Sequence, residues 1–499
     1  MHLNASPPNF VKNSIVLISI ILSIFIINFI SFRADHNWGG DFALYVAQAI
    51  SLGDGTIDDL IKTSLFRYEH SEDSILLSPK LYPWGYPIIL APIYHFYGID
   101  MVALKLFTNI FFLLTLPIIY LTFKDRITGV QNFILVALIA YNPYFFDFKE
   151  EIRSDLPFLF FSVLSIYLIQ LFIIQKKYLV NNIVSLIMLG IAIFISFSIR
   201  GNGILLLPSL FLVQIVEYGG QLNTLRKNYS KVLSSLIPYF TFFIFMKIIH
   251  MALPSGESTY ADMYHYITLA GISENAIYYS KLLSRFFSTI LQKPGFFLYL
   301  VSLPFFFVGL AGRLKQDYLY TAFMVLTLGL YIVYPGKQGL RFIFPVIPYF
   351  LYFIITGIGL IEHKLSNGKG AILASVVVGA SILFLFISTI TVTIYKQYTD
   401  YKTVDGPYRK ESIELFDYIK KNTPKDSIII FFKPRVLTLY TQRNSARIIN
   451  YEKAVQSGAD YAVCKKSSTL NLQLRGHKAD TVKVFSNGEF IMYRLIFHK

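Results

Sequence analysis

Apolar residues along this chain fall in long unbroken runs of roughly 17 residues, set apart by short polar segments. A helix of that length crosses about 30 Å of hydrocarbon, so each run predicts a membrane span. Eleven such runs lie near 14–32, 101–122, 130–146, 156–175, 183–199, 203–217, 232–252, 296–311, 318–334, 343–361 and 371–394. After about residue 395 the pattern changes. Residues 408–421 place Ile413, Leu415, Phe416 and Ile419 along a helical face, and Asn422-Thr423-Pro424 stops it. Ser427–Phe432 reads as a buried strand, Val436–Tyr440 as a short helix or strand, Arg447–Asn450 and Ala459–Cys464 as strands. Val482–Phe485 and Phe490–Ile496 form a hairpin around Asn487-Gly488. The predicted architecture is an all-α polytopic membrane unit over residues 1–395, with a first external loop of about 33–100. A small extracytoplasmic α/β domain follows over 396–499.

Composition agrees: 54% hydrophobic, 17% aromatic and only 15% charged residues exceed what a soluble core needs. The first run ends in Phe32-Arg33-Ala34-Asp35-His36, without the small-residue pattern of a signal cleavage site, and is expected to be retained. With a cytoplasmic N-terminus, the inner loops hold Lys124 and Arg126, Lys176 and Lys177, Arg226, Lys227 and Lys231, Arg313 and Lys315, and Lys364 and Lys369. Each carries at least two cations, as the positive-inside rule requires. The long loops and the tail then face outward, in the arrangement of a bacterial inner-membrane protein. The net charge of +15 is accounted for by these inner loops and by the tail, so nucleic acid is not an expected partner, whereas membrane lipids are. The single cysteine, Cys464, excludes an intrachain disulfide and reads as a small buried hydrophobe. Internal repeats, phosphate-cradling glycine loops and His/Cys metal spacings do not occur in the sequence.

The candidate chemistry lies in the first two external loops. Asp41 follows Gly39-Gly40 at the start of an amphipathic helix, where an aspartate serves either as an N-cap or as a catalytic group. Loop two carries Asp147, Glu150, Glu151, Arg153 and Asp155 directly before an apolar run; in a helical turn Glu151 and Asp155 share one face. Arg200, Lys337 and Arg341 supply cations on the same side. Carboxylates beside such cations suggest group transfer from an anionic lipid. The Lys433-Pro434-Arg435 turn could touch an anionic ligand, but it reads first as a solvated basic loop. The stretch after Ala252 holds Glu257, Asp262, His265 and Glu274, then an amphipathic run through Tyr278, Leu282, Leu283, Phe286 and Phe287 that is expected to lie over the site.

In order and sidedness these segments resemble the GT-C glycosyltransferases, which include protein O-mannosyltransferases, the aminoarabinose transferase of lipid A and the bacterial RgtA/B/C/D-like group. Gly39-Gly40-Asp41 with Tyr45 is similar to the first acidic motif, and Tyr82-Pro83-Trp84-Gly85-Tyr86-Pro87 to the segment before the second membrane helix. Glu151 to Phe158 is similar to the second acidic motif, and Gly339-Leu340-Arg341-Phe342 with Pro345 and Pro348 to a late motif. The first motif often has two adjacent acids; here Phe42 follows Asp41. The resemblance implies a transferase that moves a sugar from a polyprenyl-phosphate donor to a glycan, lipid or protein acceptor. Asp41 would be the general base in a single displacement, with Asp155 and Glu151 as further catalytic carboxylates. Arg200, Lys337, Arg341 and Tyr86 would meet the donor phosphate or its lipid. Asp155 with Glu151 could instead hold a divalent cation, Mg²⁺ or Mn²⁺ by the hardness of the ligands. A flippase for lipid-linked sugars and a polysaccharide polymerase or ligase are the alternatives.

Overall fold

The computed structural model describes residues 10–72, 79–218, 233–254, 266–289, 292–337, 339–365, 373–400, 403–467 and 480–497. Among them, nine helices are long and apolar enough to span a membrane: Lys12–Ile30, Met101–Phe123, Asp155–Ile174, Asn182–Ile199, Gly201–Tyr218, Leu233–Ala252, Gly295–Arg313, Leu340–Leu365 and Leu373–Thr399. Two shorter apolar helices, Gly129–Ala140 and Tyr318–Val333, complete the set of eleven expected runs. The run expected at 130–146 is cut short because the Asn142 side chain accepts the amides of Tyr144 and Phe145, which starts a new helix at Pro143–Phe148. The protein is an integral membrane protein, mostly helical, with a small sheet near its C-terminus.

At the centre of the bundle runs Ile347–Leu365, whose first twelve residues are almost all buried. It meets Gln292–Arg313 backbone to backbone. A Cβ added to Gly309 would lie 1.9 Å from the Phe353 carbonyl oxygen, and one on Gly357 would lie 1.9 Å from that of Phe305. Small residues at such crossings let membrane helices approach closely, where packing rather than hydrophobicity holds them together. One end of the bundle is closed by buried Asp317, which accepts from Arg126, from Arg313 Nε at 2.9 Å and from the Tyr352 hydroxyl at 2.6 Å.

The opposite end gathers the long loops. Buried Lys105 donates to Glu150 at 2.7 Å and to the carbonyl oxygens of Arg33 and Asp35, which ties the first long loop to the second. Gly40–Asp54 and Ile57–His70 form two helices over the bundle mouth.

Beyond Leu373–Asp400 and the helix Lys410–Asn422, five strands make one mixed sheet: β1 Ile428–Ile430, β2 Asn444–Ala446, β3 Tyr461–Lys465, β4 Asp480–Ser486 and β5 Phe490–Ile496. Their order is β2-β1-β3-β5-β4, with β1 parallel to β2 and β3, and β5 antiparallel to β3 and β4. The strand expected at Arg447–Asn450 lies earlier, at β2. Residues 447–450 instead receive the first long loop just after its helix Ile57–His70: Glu72 accepts the amides of Ile449 and Asn450, and the Ser71 hydroxyl accepts that of Arg447. The sheet is docked on the first long loop through Trp38. The Trp38 indole N–H donates to Asp405 at 2.8 Å, and its ring packs edge-on against Phe416, Phe431, Phe432 and Phe490.

Candidate active site at the bundle mouth

Asp41 sits in the first turn of Gly40–Asp54, where the N-cap residue is Gly39 and no side chain caps the helix. The capping role open to Asp41 is therefore not the one it takes. Its Oδ1 accepts the Tyr82 hydroxyl at 2.7 Å, and its Oδ2 lies 3.0 Å from Arg341 Nη1 and 3.8 Å from Arg153 Nε. Burial alone would raise the Asp41 carboxyl. Arg153 and Arg341 outweigh it and hold the group well below the ordinary carboxylate range.

Asp155 opens the helix Asp155–Ile169, is 1% exposed, and likewise does not cap it. One of its oxygens takes Arg200; the other lies 3.6 Å from Arg341. Arg341 thus stands between two carboxylates from loops one and two. Phe342 is stacked beneath both guanidiniums, with Arg200 at 4.3 Å and Arg341 at 4.8 Å from its ring centre. Glu151 lies in an irregular segment before the Asp155 helix, so the shared helical face expected for the pair does not form. Glu151 is held by Arg153 at 2.9 Å and by the Asn37 amide at 3.0 Å. A divalent cation on Asp155 and Glu151 would have to displace Arg200 and Arg341 from the first and Arg153 and the Asn37 amide from the second.

Tyr86 is buried. Its hydroxyl pairs with that of Thr108 at 2.6 Å, and its ring meets Tyr45 edge-on, so it supports the site from beneath. Lys337 does not join the cluster: it is exposed and pairs with Glu274 at 3.1 Å. Glu257, Asp262 and His265 lie outside the described residues. The run through Phe287 is a helix, Leu269–Leu282, followed by a 3-10 turn, Leu283–Phe287, and is fastened into the bundle rather than laid loosely over it. The Asn142 amide donates to the Phe286 carbonyl at 2.7 Å, and the Asn275 amide to that of Tyr334 at 2.7 Å.

Three residues of this site escape assignment from the sequence. Arg153 appears there only as a neighbour of the acids. Tyr82 stacks on Tyr45 with ring centres 4.2 Å apart and donates a hydrogen bond to Asp41, which fixes the carboxylate's direction. Arg435, far from solvated, is 9% exposed and reaches the Tyr82 hydroxyl at 3.3 Å and the Pro79 carbonyl at 2.7 Å.

No protein-family model matches the chain, and no curated protein matches its sequence. Among solved structures, ArnT from Cupriavidus metallidurans bound to undecaprenyl phosphate superposes with a TM-score of 0.61 over 96% of this chain and 97% of that one, at 11% identity. The fold is GT-C. A second neighbour, the archaeal oligosaccharyltransferase AglB from Archaeoglobus fulgidus in complex with an inhibitory peptide and a dolichol-phosphate, gives 0.52 at 12% identity, covering 90% of this chain and 69% of that one. Both neighbours are GT-C membrane glycosyltransferases. At the bundle mouth of this GT-C chain three guanidiniums, from Arg153, Arg200 and Arg341, meet the carboxylates of Asp41, Glu151 and Asp155, and Arg435 reaches this cluster through the Tyr82 hydroxyl.

Proposed function

We propose that the protein is a membrane glycosyltransferase that moves a sugar from a polyprenyl-phosphate-linked donor to an acceptor on the outer side of the membrane. The observation that carries this reading is the Asp41–Arg341 pair at 3.0 Å, with Asp155 and Arg200 behind it, at the mouth of an apolar bundle. Undecaprenyl phosphate and dolichol-phosphate in the ArnT and AglB structures support a donor of that class. Residues 1–395 would form the transferase unit and 396–499 an outer domain.

In the reaction the acceptor oxygen bonds to the anomeric carbon while the bond from that carbon to the phosphate oxygen breaks, and its electron pair stays with the phosphate. Arg341 and Arg200 meet the charge that develops on the leaving group; a guanidinium presents a planar fork to phosphate oxygens and stays charged. Asp155 holds Arg200 and faces Arg341, which orients the donors before the donor arrives. The acceptor proton passes to Asp41. In the free protein Arg341 depresses the basicity of Asp41, and a phosphate that occupies Arg341 offsets this. Binding of the donor thereby makes Asp41 the stronger base when the base is needed.

Transfer of radiolabelled sugar from a panel of polyprenyl-phosphate sugars in proteoliposomes tests the reading, with wild type beside Asp41→Asn. Labelled acceptor is expected from wild type alone. Donor that crosses the bilayer equally in both proteins without transfer would make this a flippase.

A further inference from the structure

Beside Asp41, between the first long loop and the sheet domain, lies a cavity of about 320 Å³, in the size range of small-molecule sites. It is built jointly by the first long loop and the C-terminal sheet domain. Asp41 forms part of its wall; Arg67, Lys80, Lys433, Arg435 and Arg447 supply cations around it. Arg67 and Arg435 are each 9% exposed. The Arg67 guanidinium donates to the Ser64 hydroxyl at 2.8 Å, and Arg435 to neutral oxygens of Tyr82 and Pro79. Among the described residues, no carboxylate lies within salt-bridge distance of Arg67, Lys433, Arg435 or Arg447. Glu72 also lines the cavity, but its carboxylate already accepts the amides of Ile449 and Asn450. Burial and the Arg435 charge push Arg67 down, and burial and Arg447 do the same to Lys433. Five cations thus share the cavity wall with two carboxylates, Asp41 and Glu72, and such an excess of partly buried positive charge is costly unless an anion joins it.

We propose that this cavity is the acceptor site, and that the acceptor carries a phosphoryl group close to the hydroxyl that receives the sugar. The inference rests on the transferase reading above. This excess of cations suits a phosphoryl group, with up to two charges and three acceptor oxygens, better than a single carboxylate. The position explains why Asp41 has two faces. Its Oδ2 looks toward Arg341 and the donor cluster, and its Oδ1 toward Tyr82 and, through it, Arg435 in the cavity. A phosphorylated acceptor held by Arg67, Lys433 and Arg447 would present its free hydroxyl to the base from the side opposite the leaving phosphate. Such a geometry is what an in-line displacement needs.

Calorimetry on the full chain in nanodiscs tests the site without any transfer, so a failed assignment here is distinct from a failed transferase. Glucose-6-phosphate is the probe, with glucose and inorganic phosphate as controls. It is expected to bind more tightly than either control and to weaken as salt rises. Because Arg67 is buried, the variants are placed at the rim: the Lys433→Gln/Arg447→Gln pair is expected to weaken binding by about tenfold or more with an unchanged melting temperature. Undecaprenyl phosphate is expected not to displace the probe. No heat from glucose-6-phosphate, equal binding of glucose, an unaffected double variant, or displacement by undecaprenyl phosphate would each overturn the proposal. So would inorganic phosphate binding as tightly as the sugar phosphate, which would leave an anion site with no acceptor specificity.

Discussion

At the residue scale the site turns on one carboxylate held between opposite charges. Asp41→Asn keeps the shape and the Tyr82 hydrogen bond but removes both the base and the counter-charge of Arg341. The expected loss in transfer is about 10²- to 10⁴-fold, with the protein still folded and in the membrane. Full activity of this variant would remove the base assignment. Arg341 offers a sharper comparison. Arg341→Lys retains a charge but cannot bridge Asp41 and Asp155, so it should recover only a small part of the activity that Arg341→Gln loses, read as kcat/KM for the lipid donor. The pH dependence carries a sign. Asp41's folded pKa is depressed by Arg153 and Arg341 against the effect of burial, so its ion pairing contributes stability above the unfolded value of ~4. That contribution is lost only as pH falls through the lower folded value. The free protein's kcat/KM should accordingly show no acid limb from Asp41 between about pH 8 and pH 5. A limb centred near pH 6 in wild type, absent when Asp41 is replaced, would contradict the arginine pairing.

At the scale of elements, the first long loop is the part on which both halves of the molecule depend. Trp38 sits where that loop meets the sheet domain, under Lys465 and among four phenylalanine rings. Trp38→Ala should cost about 3–5 kcal/mol of docking and packing, seen as early proteolysis of the tail, while Trp38→Phe loses mainly one hydrogen bond to Asp405, about 1 kcal/mol. Equal protection of wild type and Trp38→Ala would show the tail to be held elsewhere. The same loop shows what a sequence can and cannot disclose. Membrane helices are legible because each buries its own backbone bonds and needs a continuous apolar surface, whatever its neighbours. The break at Asn142 is less so, since it depends on one side chain turning back to cap. Asp41 and Asp155 stand out as acids at helix starts, yet their shared partner Arg341 is 300 residues from Asp41. Arg435 and Arg67 were hidden for the same reason: their meaning comes from the docking of the tail on the loop, which no local pattern encodes.

On the scale of the whole molecule, charge is divided between the two ends of the bundle. One end holds the arginine–carboxylate cluster and the basic cavity; the other is closed by Asp317 with Arg126 and Arg313 and carries the short lysine- and arginine-containing loops. By the positive-inside rule the second end is expected in the cytoplasm, and the direction matters for the chemistry. Nucleotide sugars are cytoplasmic, so a lipid-carried donor makes sense only if Asp41 faces outward. In a Cys464→Ser background, Lys337→Cys and Lys364→Cys report the two ends, both from exposed side chains. A membrane-impermeant maleimide should label Lys337→Cys in right-side-out vesicles and reach Lys364→Cys only after permeabilisation. The reverse pattern would put the candidate site beside the nucleotide-sugar pool, and the reason to invoke a polyprenyl-phosphate donor would go with it. Labelling as expected would leave a lipid carrier as the available sugar source at this face, with the phosphate of that carrier directed to Arg341.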